Sequence, residues 1–411
     1  MATEPLDAAW REYSRQVLAI LIRLLGDFEL AEEALHDAFL AAARRWPTDG
    51  MPRHPLAWLV SAGRFSAIDK LRRRKKLAGA QLDIIQSLYP EVDDVPDEHY
   101  ALADDRLRLI FVCCHPMLTP EAQIALTLRE VCGLTTEDIA RAFLAKTPTI
   151  AQRIVRAKLR LKQAAVPYTV PERAELAERL DSVLHTIYLV FNEGYLATSG
   201  SDLVRENLCA EAIRLCRLLA DLLPEPEVHG LLGMMLLHDA RRPARQRQGD
   251  MVLLPDQDRT LWSRPLIEEG TALIERAFAS GTIGPYTIQG AIAAVHCTAP
   301  SAASTNWSEI VALYDLLLTT TSSAVVRLNR AVAVFMRSGS EAGMEAIEPI
   351  LAAGELDSYF PAQAAAAEIY FRAGHLQEAK SLLERALALC ANTVERQLLA
   401  GRLQQFETAD N

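Results

Sequence analysis

Residues 133–163 read "GLTTEDIARAFLAKTPTIAQRIVRAKLRLKQ", and the stretch leaves the chain little choice of fold. Thr135 with Asp138 three residues on is a capping-box start for a helix. Ile139, Ala140, Phe143 and Leu144 give that helix one apolar face. A second helix starts at Thr147 before Pro148, or at Thr149 with Gln152 three residues later. Ile150, Ile154 and Val155 are expected to face inward. Arg153, Arg156, Lys158, Arg160 and Lys162 crowd the other faces, with no carboxylate between Arg153 and Lys162. Helix, short turn and basic helix is the layout in which the second helix enters a major groove. A solvated basic helix in an ordinary bundle is the plainer alternative, and the uncompensated charge argues against it.

Helical spacing runs through nearly the whole 411-residue chain. No alternating strand with a hairpin turn interrupts it, so the expected class is all-α. Prolines and charge divide the chain. A first helical domain covers 1–77 and ends in "RFSAIDKLRRRKK". A proline-containing, carboxylate-rich linker covers 78–103, and the domain with the helix-turn-helix covers 104–166. A helical extension is expected over 167–300, followed over 301–411 by helical repeats. In that last part "VVRLNRAVAVFMRSGSEAGMEAIEPIL" resembles "AQAAAAEIYFRAGHLQEAKSLLERALAL". Gly339 and Gly374 each end an Ala-rich helix at a spacing close to the 34-residue tetratricopeptide period.

Net charge is −10, unevenly spread: residues 1–167 hold 23 Lys and Arg against 22 Asp and Glu, leaving the remainder strongly acidic. Local patches, not the total, decide phosphate contact. In the first domain, "WLVSAGRFSAIDKLRRRKK" places Trp58 and Phe65 among Arg64, Lys70, Arg72, Arg73 and Arg74, with Asp69 opposed. Aromatics interleaved with cations suit an unstacked strand, since every base offers a π-face. Taken alone, the two aromatics read more simply as core, on one side of the helix with Leu59, Ala62, Ile68 and Leu71. Upstream, "LLGDFELAEEALHDAFLAAARRW" makes one strongly acidic helix from Asp27, Glu29, Glu32, Glu33 and Asp37. That face is either merely solvated or a docking surface.

Other classes are poorly supported. No apolar run approaches a membrane span of roughly 18–20 residues. The N-terminal residues lack a basic-then-apolar signal layout, so the expected location is cytoplasmic. The cysteines form no CxxC pair. "CCHP" at 113–116 reads as packed thiols, not a metal site, and no cofactor is expected. Scattered candidates such as His185, His229 and His296 form no paired catalytic motif, and no phosphate-cradling glycine loop exists.

The acidic helix, the aromatic-basic helix and the helix-turn-helix, in that order, resemble the extracytoplasmic-function class of bacterial RNA polymerase sigma factors. "GDFELAEEALHDAF" is similar to the helix by which these factors bind the polymerase clamp, which implies that Asp27, Glu32, Glu33, His36 and Asp37 face core RNA polymerase. "PLAWLVSAGRFSAIDKLRRRKK" is similar to the segment that melts and reads the −10 element, implying Trp58, Arg64, Phe65, Asp69, Lys70, Arg72, Arg73 and Arg74 at promoter DNA. The helix-turn-helix looks like the −35-reading domain, implying Thr149, Gln152, Arg153, Arg156 and Lys158 in or beside the groove. The acidic linker would thread the polymerase's basic channel. The chain departs from the family pattern at His36 (usually Gln), Phe65 (usually Asn) and Ala151-Gln152 (usually Lys-Ser).

Most members stop after the second domain. "CCHP", "ALTLREVCGL", "YLVFNEGY", "DARRPAR", "QDRTLW" and "GPYTIQGAIAAVH" resemble the subgroup with a long tetratricopeptide-like C-terminal extension. The resemblance implies that the extension takes over regulation, through a regulatory protein or a ligand, in place of a dedicated membrane anti-sigma partner. In "YLVFNEGYLATSG" (188–200), Tyr188, Leu189 and Phe191 are expected in the core, and Gly194 ends the helix or admits another backbone. Asn192, Glu193 and Tyr195, with Arg241, Arg242 and Asp258, are expected to anchor the extension against the sigma domains; an internal salt-bridge network locking a loop is the plainer reading. A one-component helix-turn-helix regulator with a tetratricopeptide-like sensor is the alternative function. The acidic and aromatic-basic helices, which such a regulator does not need, discriminate against it.

Overall fold

A computed structural model describes residues 4–78, 98–143, 145–172, 175–195, 206–247, 250–390 and 392–408. Most of the expected acidic linker therefore lies outside the described residues. The chain forms two compact units, Met1–Thr186 and Ile187–Asn411.

The first unit begins with α1 (Glu4–Leu25), α2 (Phe28–Asp49) and α3 (Pro55–Ala78). Asp27 starts α2 by accepting from the Glu29 and Leu30 amides at 3.0 and 3.2 Å, satisfying donors that a helix start leaves open. Leu18, Leu21 and Ile22 of α1, Leu35 and Phe39 of α2, and Leu59 and Ile68 of α3 are buried. After the linker come α4 (Glu98–Cys113), α5 (Pro120–Glu130), α6 (Thr136–Ala142) and α7 (Thr147–Gln163). The expected capping box is present: the Asp138 amide donates to Thr135 Oγ1 at 3.0 Å, and the Thr135 amide donates to Asp138 Oδ2 at 3.2 Å. Of the two starts offered for the basic helix, Thr147 before Pro148 is the one used. Ile139, Ile150, Ile154 and Leu161 are buried beneath it.

The first unit runs on past residue 166 to Thr186. Arg179 donates to the Phe111 carbonyl at 2.8 Å and Ser182 to the Cys114 carbonyl at 2.7 Å. Buried Gln123 donates to Ser182 Oγ at 3.0 Å and accepts from Thr186 Oγ1 at 3.2 Å. Both thiols of "CCHP" are free and buried. Burial raises the pKa of Cys113 well above its ordinary value and that of Cys114 to about 11.

The second unit takes up the end of α8 (Leu176–Tyr195) and adds α9 (Glu206–Leu222), α10 (Pro226–Asp239), α11 (Arg264–Ala279) and α12 (Pro285–Thr298). Buried residues occupy every side of α10, from Val228 to Leu237, as expected of a helix enclosed by neighbours. Glu227, in its first turn, accepts from the Tyr286 and Thr287 amides at 2.8 and 3.0 Å. One carboxylate thus serves the start of α10 and caps α12. The polar stretch after α10 forms short 3₁₀ turns at Arg242–Ala244, Leu254–Asp256 and Arg259–Leu261. It also holds an antiparallel ribbon of β1 (Gln246–Arg247) and β2 (Asp250–Met251). The ribbon departs from the strand-free expectation; two residues a side are too short to register as an alternating pattern.

The chain closes with α13 (Trp307–Thr320), α14 (Ala324–Ser338), α15 (Ser340–Ala352), α16 (Phe360–Arg372), α17 (Leu376–Leu389) and α18 (Thr393–Thr408). Gly339 and Gly374 stand between helices at φ 90° and 87°, a left-handed conformation that costs glycine nothing. The helix pairs α14–α15 and α16–α17 share successive apolar clusters centred on Phe335, Ile347 and Ile369, then Leu383 and Phe406.

Candidate nucleic-acid interface

In the first unit the face of α2 carries the carboxylates singled out by sequence, and each of the four nearest the basic elements has a cation. Lys70 of α3 reaches Asp37 at 2.7 Å and Glu33 at 3.2 Å. Ser66 also donates to Asp37. Burial works to raise the Asp37 pKa, but the hydrogen bonds from Lys70 and Ser66 outweigh it and hold the carboxyl below its usual range. His36 is exposed and its Nδ1 lies 2.8 Å from the Glu32 carbonyl oxygen.

The other two carboxylates meet the basic helix. Lys158 of α7 lies 2.8 Å from Glu32 Oε2 and 3.0 Å from Glu130 Oε1. Glu130 is 1% exposed, and the Lys158 side chain 12%. Burial alone would lower the Lys158 pKa; Glu130 and Glu32 outweigh it and raise it. Its ammonium also stands 5.5 Å from the Phe28 ring centroid, within cation–π range. One turn on, Lys162 reaches Asp27 at 2.5 Å. Two further links join α1 to the helix-turn-helix half: Arg23 to Asp105 at 2.5 Å, and Arg15 to the Gly133 carbonyl at 3.3 Å. Sequence reasoning assigned Asp27, Glu32 and Lys158 to different surfaces; the fold brings them together. Glu130 and Asp105 were missed, being single carboxylates inside otherwise ordinary amphipathic helices.

The remaining residues of the basic helix divide by exposure. Thr149, Gln152, Arg156 and Arg160 are exposed and Arg153 half-buried. Val155 is 57% exposed, not inward-facing: five residues past Ile150 it falls on a different helical face, whereas Ile154 is four past and shares the buried one. On α3, Trp58 is half-buried with its ring 5.5 Å from that of Trp46. Phe65 is 65% exposed, so the plain core reading fails for it. Arg64 and Lys70 are half-buried, and Asp69 and Arg72 exposed. Arg73 and Arg74 continue the helix. An apolar ring standing in water beside cations can stack on an unpaired base.

Three stretches match known families: 9–77 matches sigma-70 region 2, 108–161 matches sigma-70 region 4, and 179–278 matches a family of unknown function, DUF6596. The chain belongs to the extracytoplasmic-function sigma factors that carry a C-terminal extension. Along nearly its whole length this sigma factor is similar to the uncharacterized protein R00370 of Rhizobium meliloti, 44% identical over 95% of this chain and 93% of that protein. It is 22% identical to the probable ECF RNA polymerase sigma factor SigI of Mycobacterium tuberculosis, over 41% of this chain and 58% of SigI. It is 24% identical to the RNA polymerase sigma-H factor of Pseudomonas aeruginosa, over 38% of this chain and 83% of that protein. No solved structure matches.

In the sigma factor's extension, Arg241 is buried and donates to Tyr195 Oη at 2.7 Å. Arg242 lies 3.3 Å from Asp239. Arg245 donates to the Tyr195 carbonyl, its guanidinium 3.7 Å from the Tyr195 ring centroid. Asp258 is exposed and caps its own turn through Thr260. Asn192 and Glu193 are half-buried on α8. Gly194 is a close-approach glycine: a Cβ there would sit 2.7 Å from the Cys209 amide nitrogen. Among the described residues no cluster of His, Cys, Asp or Glu could hold a metal, and no helix is long and apolar enough to cross a membrane.

Proposed function

We propose that this chain binds core RNA polymerase, directs promoter-specific initiation, and is regulated by its own C-terminal extension. The observation that carries the reading is the pairing of Lys158 with Glu32 and Glu130. In the free protein, carboxylates expected on the polymerase clamp are engaged by lysines of the helix expected on −35 DNA. Glu32 and Lys158 are engaged with each other until the two helices part, so the isolated chain is a closed form that polymerase and promoter open. The exposed Phe65 beside Arg64 supports base stacking at the melted −10 region. Asp37 and Glu33 are already paired with Lys70 within one helical pair; in this reading they shape the clamp-facing surface without needing to be released.

The test is co-purification with core polymerase followed by transcription from genomic fragments, comparing the full chain with residues 1–186. Core binding with promoter-selective transcripts is expected from the full chain. A changed transcript yield from the shorter chain is the expected sign of regulation by the extension. Tight promoter binding without polymerase, and no core association, would replace this reading with the one-component regulator. Equal transcription by both chains would remove the extension's regulatory part and leave the sigma function standing.

A further inference from the structure

Within the second unit, α8, α10, α12, α13 and α14 enclose a cleft of about 360 Å³. That lies at the small end of the ~300–1,000 Å³ typical of ligand clefts. Its walls are aromatic: Tyr188, Phe191 and Tyr195 from α8 and Tyr314 from α13. Its polar groups are few and convergent, chiefly Arg241, His238 and His296, with Asn329 at the exposed rim. Among the described residues no Asp or Glu lines it.

Arg241 is the decisive group. It is 8% exposed, donates to Tyr195 Oη at 2.7 Å, and has His238 Nδ1 at 3.4 Å. Among the described residues it has no carboxylate partner, and its Nε is buried without a hydrogen bond. The neighbouring arginines differ. Arg242 has Asp239 at 3.3 Å, and Arg245 is spent on the Tyr195 carbonyl and ring, with Glu395 in its field. A buried guanidinium without a counter-charge is costly, and an entering anion supplies what is missing through the paired hydrogen bonds that guanidinium favours. Both cleft histidines are neutral near pH 7. Burial and the nearby arginines hold His296 down to about 4 and His238 well below its ordinary value. Arg241 is therefore the cation that a ligand meets.

We propose that this cleft binds a small organic anion with a flat apolar body, its carboxylate or phosphate on Arg241 and its ring among the aromatic side chains. The site shares no residue with those expected at polymerase or promoter, and it gives the extension a chemical input of its own.

Saturation-transfer NMR on the full chain tests this with phenylacetate, phenyl phosphate and benzyl alcohol as probes, in the absence of polymerase and DNA. At least one anion is expected to bind at low-millimolar concentration, and benzyl alcohol about tenfold more weakly or not at all. Which anion binds better distinguishes a carboxylate site from a phosphate site. Arg241→Gln is expected to weaken anion binding by about tenfold or more. Asn329→Trp fills the cleft from its rim without disturbing the buried hydrogen bonds, and is expected to do the same if Arg241→Gln fails to fold. Failure of both anions to bind, equal binding of benzyl alcohol, or full anion binding by Asn329→Trp overturns the proposal.

Discussion

Lys158 Nζ lies 2.8 Å from Glu32 Oε2, tying the helix expected on −35 DNA to the helix expected on the polymerase clamp. The same ammonium is the partner of Glu130, which is almost wholly buried. Removing one member of such a pair leaves the other charge stranded. Lys158→Met is therefore expected to destabilise the first unit by about 3–5 kcal/mol, read by chemical denaturation. The double variant Lys158→Met with Glu130→Leu is expected to recover most of that loss. A single variant as stable as the parent would show that Glu130 does not depend on Lys158.

Phe65→Ala is expected to leave the denaturation midpoint unchanged, because the ring is largely in water. Promoter melting, followed by permanganate reactivity in the polymerase complex, is expected to fall by about tenfold, given roughly 1–3 kcal/mol per base–aromatic stack. Phe65→Trp is expected to retain melting. Unchanged permanganate reactivity in Phe65→Ala would exclude the ring from the melted bases.

Local signals were legible in the sequence where local physics sets the outcome. Thr135 and Asp138 form their capping box, and Gly339 and Gly374 take up positive φ between helices. Gly194 is both the penultimate residue of its helix and a point of close approach. The misreadings share one cause. Phe65 and Val155 are apolar residues counted with buried neighbours, Ile68 and Ile154, although each stands on the exposed side of its helix. The pairing of Glu32 with Lys158 was not legible either. The two residues lie 126 positions apart, and nothing in either helix marks the other as its partner.

Where the first unit ends has a consequence for truncation. A chain ending at 166 lacks Arg179, Ser182 and Thr186, which bond to the Phe111 carbonyl, the Cys114 carbonyl and Gln123. Unsatisfied buried polar groups cost about 1–3 kcal/mol each. Residues 1–186 are therefore expected to melt at a higher temperature than residues 1–166, measured by circular dichroism. Equal melting temperatures would count against these contacts.

Gly194→Ala is expected to cost about 1–3 kcal/mol through overpacking against Cys209 and Leu208. Calorimetry of the full chain reads the loss. A stability-neutral alanine would mean that α8 and α9 separate easily at this point.

His296 gives the second unit a mild-acid sensitivity. Burial, with Arg241 and Arg259, depresses its pKa from 6.5 to about 4 in the folded chain. As pH falls below 6.5 the unfolded chain takes up a proton that the folded chain refuses, so the contribution is present above that pH and is lost on the way down towards 4. The full loss is on the order of 3 kcal/mol. His238 acts in the same direction. His296→Gln is expected to flatten the dependence of stability on pH across this range. An unaltered slope would mean that the imidazole is protonated at little cost where it sits.

Asp27 holds two helix amides as well as Lys162, whereas Glu130 has Lys158 as its near cation. The contact between α2 and α7 can therefore part at both ends without baring a buried charge. When Lys162 departs, Asp27 remains hydrogen-bonded, and surface pairs of that kind contribute about 0–1 kcal/mol. When Lys158 leaves Glu32, it stays beside Glu130, which ends α5 in the same half as α7. The shared lysine is thus a pivot that keeps hold of its own half whenever it lets go of the other.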